Sequence, residues 1–241
     1  MKTNDWFTSW FNTPYYHTLY KNRNDDDAQV FMKNLTSFLE LDTNTHILDL
    51  PCGKGRHSLF LNSLGYKVTG GDLSENSIKH AKQFENNRLK FEVYDMRKPF
   101  KNKYNAIFNL FTSFGYFDDD NEDIKVLENF KRGIYKDGTV VIDFLNVEKV
   151  KDNIVEQEVK VVDDIKFHIK REIKNGFILK HISFFADNKQ HSFREQVKYL
   201  DLEKMQNYLK EADLELIHTF GNYQLDRFNP KTSDRLILIA K

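Results

Sequence analysis

The residues best suited to chemistry lie where a short apolar strand runs into a glycine-containing turn. The segment is His46-Ile47-Leu48-Asp49-Leu50-Pro51-Cys52-Gly53-Lys54-Gly55-Arg56-His57-Ser58. Because Gly53 and Gly55 lack a Cβ, the backbone there can turn tightly and approach a ligand closely. The helix predicted after the turn starts with unpaired peptide N–H groups, which can meet an anionic group. The pattern therefore predicts a ligand-binding turn.

A second acid stands at the end of the next predicted strand. Asp72 follows Gly53 by 19 positions. An acid at this place in open α/β sheets can accept hydrogen bonds from both hydroxyls of a ribose. The alternative is that Asp72 caps the following helix, but Ser74 is itself a good N-cap residue and leaves Asp72 available. We therefore predict that Asp72 binds a ribose.

The turn resembles motif I of class I S-adenosylmethionine-dependent methyltransferases, in which an acid precedes the first glycine by four positions, as Asp49 precedes Gly53. The resemblance covers about residues 46–146. Within the class, the turn and the segment 15–20 look like those of bacterial small-molecule methyltransferases with an N-terminal lid. The implied reaction is in-line displacement of the cofactor's methyl group by a nucleophile of the acceptor, and no catalytic residue is implied.

The resemblance also implies the roles of the cofactor site. Asp49 would receive the ammonium group, Asp95 the adenine amino group, and the segment after the fourth strand would line the sulfonium end. Asp95 has the alternative of an ordinary turn acid, and Tyr16 and Tyr20 that of an aromatic helix face packed on the core. The cofactor-binding residues implied are Tyr16, Tyr20, Asp49, Pro51, Gly53, Gly55, Arg56, Asp72, Leu73, Asp95, Met96, Asn109 and Phe111.

Other functions remain as rivals. A nicotinamide-dependent oxidoreductase also uses a glycine turn, but Ser58 replaces the third glycine of its G-x-G-x-x-G pattern. A binding module that keeps the cofactor pocket without catalysis fits the same residues. Pro51-Cys52 looks like the nucleophile of cytosine-5 methyltransferases, but it follows the first strand rather than the fourth, so we expect Cys52 to be a packing residue.

Strands and helices alternate through the middle of the chain, which is typical of βαβ units. We predict an α/β fold with a doubly wound, mostly parallel, seven-stranded sheet, a C-terminal antiparallel hairpin and an inserted antiparallel β layer. The chain would be a single domain. Its predicted parts are an N-terminal helical lid at 1–45, the cofactor-binding core at 46–146 and 201–241, and the inserted strands at 147–200.

The inserted strands are expected to form a layer over the carboxyl edge of the main sheet and to supply most of the acceptor pocket. Ile165, Phe167 and Ile169 alternate with polar residues, a period of two that would turn these three side chains toward the domain. A dimerisation sheet is the alternative. The candidate substrate-binding residues are His168, His181, Arg194 and Tyr199.

Composition limits the partners. Lys plus Arg and Asp plus Glu both number 36, so no overall positive field draws the chain to nucleic acid or an anionic membrane. The sequence lacks a run of about 18 apolar residues and opens without a signal-peptide pattern, so a cytoplasmic location is expected. The histidine spacing matches no metal motif, and we predict no metal. The expected partner is a small-molecule acceptor, with the protein a monomer or a homodimer.

Overall fold

The computed structural model describes residues 6–21 and 25–241. Met1–Asp5, on which the signal-peptide expectation depends, lies outside the described residues. The helices are α1 (Trp6–Phe11), α2 (Pro14–Leu19), α3 (Asp25–Phe38), α4 (Arg56–Ser63), α5 (Glu75–Ala81), α6 (Asp120–Gly133), α7 (Val147–Asp152) and α8 (Leu202–Glu211). The strands are β1 (His46–Asp49), β2 (Lys67–Asp72), β3 (Leu89–Val93), β4 (Tyr104–Asn109), β5 (Ile134–Leu145), β6 (Gln157–Val162), β7 (Ile165–Lys174), β8 (Phe177–Ala186), β9 (Lys189–Lys198), β10 (Leu216–Phe220) and β11 (Arg235–Ala240).

Seven strands form the main sheet in the order β10-β11-β5-β4-β1-β2-β3. The five strands from β5 to β3 in this order are parallel, and β11 runs antiparallel to both β5 and β10. The chain leaves β1 toward one edge of the sheet and returns at β4 toward the other. The carboxyl ends of β1 and β4 therefore border the crevice in which open α/β sheets bind ligands.

Helices cover both faces of this sheet because successive strand residues point in opposite directions. Leu48 packs in a buried cluster with residues of α6 and α8, such as Phe130 and Met205. Its neighbour Ile47 lies in a second cluster with residues of α3, such as Phe31. The sheet is thus doubly wound.

The four strands β6 to β9 form a separate antiparallel sheet in sequence order. Phe167 and Ile169 are buried in a third apolar cluster with Trp10 and Leu19, and Ile165 packs against its margin. These side chains point inward as predicted, but they contact the N-terminal helices α1 and α2 rather than the main sheet. The predicted fold class is confirmed, with the C-terminal antiparallel pair and the inserted sheet in place.

A buried cation ties the inserted sheet to the main body. Lys198, at the end of β9, is only 2% exposed, and its Nζ lies 2.7 Å from Asp123 Oδ2 and 2.6 Å from Asp120 Oδ1 of α6. Burial raises the pKa of Asp123 to about 6 although Lys198 opposes the shift. The backbone N–H of Lys198 also donates to the Gly115 carbonyl at 2.8 Å.

One element was not expected from the sequence, and one junction is abrupt. β5 begins at Ile134, directly after α6 ends at Gly133, where a Cβ would lie 2.3 Å from the Phe100 ring. The short helix α7 was not predicted, since only Val147 of its six residues is buried and gives little apolar periodicity. Across the described ranges, the helices are too short or too polar to cross a membrane.

Candidate active site

The glycine turn joins β1 to α4 at the carboxyl edge of the sheet. Gly53 and Gly55 have positive φ angles of +55° and +84°, a region that favours glycine. A Cβ on Gly55 would lie 2.7 Å from the Phe91 ring, whereas a Cβ on Gly53 would meet no atom within 4 Å. Gly55 therefore packs the turn against the sheet, and Gly53 leaves its open side free for a ligand.

Asp49 ends β1 and is 2% exposed. The Ser58 hydroxyl donates a hydrogen bond to Asp49 Oδ2 at 2.6 Å. Burial raises the pKa of Asp49 to about 7, and the hydrogen bond from Ser58 opposes this shift. Ser58, which replaces the third glycine of the nicotinamide pattern, thus supports the carboxylate. A cation next to Asp49 would favour its ionised form.

Asp72 connects the end of β2 to the glycine turn. The Gly53 N–H donates to its Oδ2 at 2.8 Å, and the Ser74 N–H donates to its Oδ1 at 2.8 Å. Ser74 accepts from the Ser77 N–H at 3.1 Å and so caps α5. Burial raises the pKa of Asp72, and the two N–H donors oppose the shift. The carboxylate is held rigidly while its remaining lone pairs can accept from a ligand.

These groups line a cleft of about 310 Å³, which we call the first cleft. It gathers eight of the thirteen predicted cofactor-binding residues, namely Tyr16, Tyr20, Asp49, Pro51, Gly53, Arg56, Asp72 and Phe111. Gly55 lies behind it, against Phe91. The structure therefore brings together the turn, the two strand-end acids and the aromatic segments.

The other four predicted residues do not line this cleft. Both carboxylate oxygens of Asp95 accept from the Arg97 side chain, at 3.0 and 2.9 Å. Although burial opposes the shift, Arg97 lowers the pKa of Asp95. Asn109 is buried and donates to the Leu50 carbonyl at 2.8 Å. Leu73 and Met96 pack against the apolar cluster on the α6 face of the sheet.

The loop after β4 has an unusual backbone. Phe111 and Thr112 have φ angles of 61° and 62°, a region that costs roughly 1–3 kcal/mol for residues other than glycine. Asp143 of β5 fixes the backbone of both residues. Its Oδ2 accepts a hydrogen bond from the Phe111 N–H at 2.8 Å, and its backbone carbonyl accepts one from the Thr112 N–H at 2.9 Å. Arg235 of β11 donates to Asp143 Oδ1 at 2.7 Å and to Thr112 Oγ1 at 2.9 Å. This buried pair fixes the Phe111 ring at the cleft.

A second cleft of about 290 Å³ adjoins the first. The two clefts share Phe11, Tyr16, Tyr20, Phe111 and Tyr116. The far wall of the second cleft comes from the inserted sheet and is formed by Arg171, Ile178, Lys180, Glu195 and Val197. An aromatic partition thus separates the first cleft, with its strand-end acids, from a second space under the inserted sheet.

The four candidate substrate-binding residues lie elsewhere. His168 and Arg194 are exposed on the outer face of the inserted sheet, and His181 is within 3.2 Å of Glu172 on that face. The Tyr199 hydroxyl donates to Glu148 of α7 at 2.7 Å. None of them lines the second cleft. For His168, His181 and Arg194 the reason is the strand period of two, because their positions point away from the apolar cluster and the cleft lies on the inner face.

Sequence reasoning missed the polar residues that do line the second cleft. Arg171 lies on the same face of β7 as Phe167 and Ile169. In the sheet register Arg171 is opposite Lys180, and Lys180 is opposite Glu195. A charged residue at an inward position of an alternating strand was the signal that could have found this row. The Asp143–Arg235 pair gave no comparable signal, because its two members are 92 positions apart.

Comparisons with known proteins identify the family. A family model for a methyltransferase domain matches residues 41–213. The chain belongs to this methyltransferase family. A stretch of 53 residues is 47% identical to a probable S-adenosyl-L-methionine-dependent methyltransferase, TehB, of Haemophilus influenzae, and covers 21% of this chain and 18% of that protein. The chain thus matches only about a fifth of that relative's length.

Two solved structures resemble the whole methyltransferase chain. An S-adenosylmethionine-dependent methyltransferase from Clostridium acetobutylicum superposes with a TM-score of 0.79 at 16% identity, covering 94% of this chain and 95% of that one. CalS10, an amino pentose methyltransferase from Micromonospora echinaspora solved with S-adenosylmethionine bound, gives a TM-score of 0.70 at 14% identity and covers 95% and 96%. The TM-scores establish the common fold.

The predicted cofactor, S-adenosylmethionine, is confirmed by the family. The residues of the first cleft fit it: Asp49 is a buried carboxylate for a cation, Asp72 offers acceptors to hydroxyl groups, and Gly53 leaves the space that a side chain would fill. Which of these residues contacts which cofactor group remains a prediction.

Proposed function

We propose that this methyltransferase transfers the methyl group of S-adenosylmethionine to a small-molecule acceptor held in the second cleft. The observation that carries the proposal is the aromatic partition, because Phe111, Tyr16 and Tyr20 line both clefts. A nucleophile in the second cleft would approach a methyl group in the first cleft across this partition. The amino pentose substrate named for CalS10 is consistent with a small acceptor.

The chain's own residues would position and desolvate the reactants. Asp72 would accept the ribose hydroxyls, and Asp49 would face the ammonium group. Asp95 would have to release Arg97 before it could receive the adenine amino group. The cofactor supplies an activated methyl group whose sulfonium charge is neutralised on transfer, so alignment by Phe111 and the tyrosines is the protein's main contribution.

Binding of the cofactor and its product tests the first half of this proposal. Asp72→Ala should weaken both S-adenosylmethionine and S-adenosylhomocysteine by about 1–3 kcal/mol, since the ribose is common to the two ligands. Asp137→Ala, which removes an exposed acid far from both clefts, is the matched control. Calorimetry with equal affinities for the parent and Asp72→Ala would refute the ribose assignment.

Turnover tests the second half. The protein is incubated with methyl-labelled S-adenosylmethionine and fractionated metabolites of the source cell, and we expect label in a small-molecule fraction. Cofactor binding without any labelled product would favour the binding-module alternative, and displacement by NAD would favour the oxidoreductase.

Nucleic acid is not the proposed acceptor, because the 36 basic and 36 acidic residues balance. Filter binding to DNA and RNA at low salt should show no tight, salt-sensitive complex. Label incorporated into either polymer would overturn this part of the proposal. The cytoplasmic location and the monomeric or dimeric state stay predictions.

A further inference from the structure

Three charged side chains form a row across the inner face of the inserted sheet. Arg171 of β7 is the register partner of Lys180 of β8, which is the partner of Glu195 of β9. We call this the inner row. All three residues line the second cleft, and the Lys180 and Glu195 side chains are only 17% and 16% exposed. Charges at such positions cost desolvation energy unless they are paired or bind something.

The carboxylate of the inner row is already engaged by three side chains. The Trp10 indole N–H donates to Glu195 Oε1 at 2.7 Å, and the Tyr20 hydroxyl lies 2.7 Å from both carboxylate oxygens. The Lys180 ammonium is 3.5 Å from Oε2 and also contacts the Tyr20 hydroxyl. Glu195 therefore fixes Trp10, Tyr20 and Lys180, and it is poorly placed to accept hydrogen bonds from a ligand.

The cations of the second cleft keep unused donors. Among the described residues, Arg171 donates from one terminal nitrogen to Glu158 at 2.6 Å and from the other to the Val155 carbonyl at 3.2 Å. A guanidinium has five N–H donors and an ammonium has three. Arg171, Lys180 and Arg235 line the cleft. Glu158, which pairs with Arg171, and Asp143, which pairs with Arg235, do not line it. The polar wall thus offers donors with positive charge.

The rest of the second cleft is largely apolar and aromatic. Its walls include the rings of Trp6, Phe11 and Tyr116 and the side chains of Ile178 and Val197. Positively charged donors beside apolar side chains match a molecule with an acceptor-rich anionic group on an apolar body. A volume of about 290 Å³ restricts that molecule to a small one.

We propose that the methyl acceptor bears an anionic group, a carboxylate or a phosphate, and that Arg171 and Lys180 of the inner row bind it in the second cleft. This inference rests on the proposed function and names the substrate class of the same site. The anionic group lies against the inserted sheet, and the nucleophilic atom at the other end of the molecule lies against Phe111 and Tyr16 at the partition.

Calorimetry on protein saturated with S-adenosylhomocysteine tests the proposal with three probes of similar shape: phenylacetate, phenyl phosphate and the neutral phenylacetamide. We expect at least one anion to bind about tenfold more tightly than the amide, the size expected of one charged hydrogen bond. The preferred anion distinguishes a carboxylate from a phosphate. Equal binding of all three probes, or binding of none, would overturn the proposal.

Matched variants locate the site. Arg171→Gln should reduce the affinity of the preferred anion about tenfold. Lys170→Gln removes the neighbouring charge, which is exposed on the outer face, and should leave that affinity unchanged. Arg194→Gln also removes an outer-face charge. Loss of anion binding in Arg194→Gln but not in Arg171→Gln would overturn the inner-row assignment and favour the outer face.

The two proposals fail in different ways. If S-adenosylhomocysteine itself does not bind, the proposed function is wrong. If it binds normally to the parent and to Arg171→Gln but the anions show no preference, only the substrate class is wrong. Thermal unfolding of Arg171→Gln near the parent's midpoint shows that the variant is folded, so a lost affinity then reports on the site.

Discussion

Cofactor affinity should depend on pH through Asp49. Burial raises the pKa of this carboxyl from 3.8 to about 7, so a substantial share of the free protein carries a neutral Asp49 near neutral pH. A cationic ammonium group binds the ionised carboxylate better. Since ionisation increases as pH rises, the affinity for S-adenosylhomocysteine should also rise with pH.

The size of the effect follows from the ionised fraction. With a pKa of about 7, about one-eleventh of Asp49 is ionised at pH 6.0 and about three-quarters at pH 7.5, so Kd should fall about eightfold between them. Calorimetry in two buffers with different ionisation enthalpies should show proton release on binding at pH 6.0.

Two variants check the assignment. Asp49→Asn should bind weakly with a flat pH dependence. Ser58→Ala removes the hydrogen bond that lowers the pKa of Asp49, so its affinity profile should move to higher pH. An unchanged eightfold dependence in Asp49→Asn would refute the reasoning, as would a Ser58→Ala profile displaced to lower pH.

Asp49 also affects the stability of the fold, and there its neutral form is the favourable one. The pKa of Asp49 is higher in the folded protein than in the unfolded chain. The contribution of Asp49 to the free energy of unfolding is therefore highest below about pH 4 and falls as pH rises through about 7. The difference from 3.8 corresponds to at most about 4 kcal/mol. Asp49→Asn without cofactor should therefore unfold at a higher temperature than the parent at pH 8, and equal midpoints there would contradict the burial cost.

The remaining predictions concern the two buried ion pairs. Asp143→Asn should weaken S-adenosylhomocysteine by about 1–3 kcal/mol because it loosens the left-handed loop, and adding Thr112→Gly should recover about 1 kcal/mol, since glycine adopts that conformation freely. If Thr112→Gly changes the affinity for S-adenosylhomocysteine equally in the parent and in Asp143→Asn, the positioning role of Asp143 is contradicted. Lys198→Met should cost about 3–5 kcal/mol at pH 8 in chemical unfolding, because Asp123 is left buried and unpaired. At pH 5 the loss should be smaller, since the pKa of Asp123 is about 6 and its neutral form tolerates burial; a larger loss at pH 5 would refute this.

The sequence alone determined the glycine turn and the two strand-end acids of the proposed cofactor site. Strand ends and one turn position Asp49, Gly53 and Asp72, and both features can be recognised from the local sequence. A strand ends where its apolar run ends, and a backbone with positive φ favours glycine. Parallel strands then bring their carboxyl ends to one edge, so residues 19 positions apart meet, as the 2.8 Å contact between Gly53 and Asp72 shows.

The tertiary structure alone decided the proposed acceptor site. Alternation along β7 defines two faces but does not state which face meets the cleft, so His168, His181 and Arg194 were assigned to the pocket when the inner row faces it. The face that meets the cleft depends on the N-terminal segment. Trp10 of α1 and Tyr20, directly after α2, form hydrogen bonds to Glu195, which is more than 170 positions away in the sequence. Contacts of this kind are set by packing between distant elements, which the local sequence pattern does not encode.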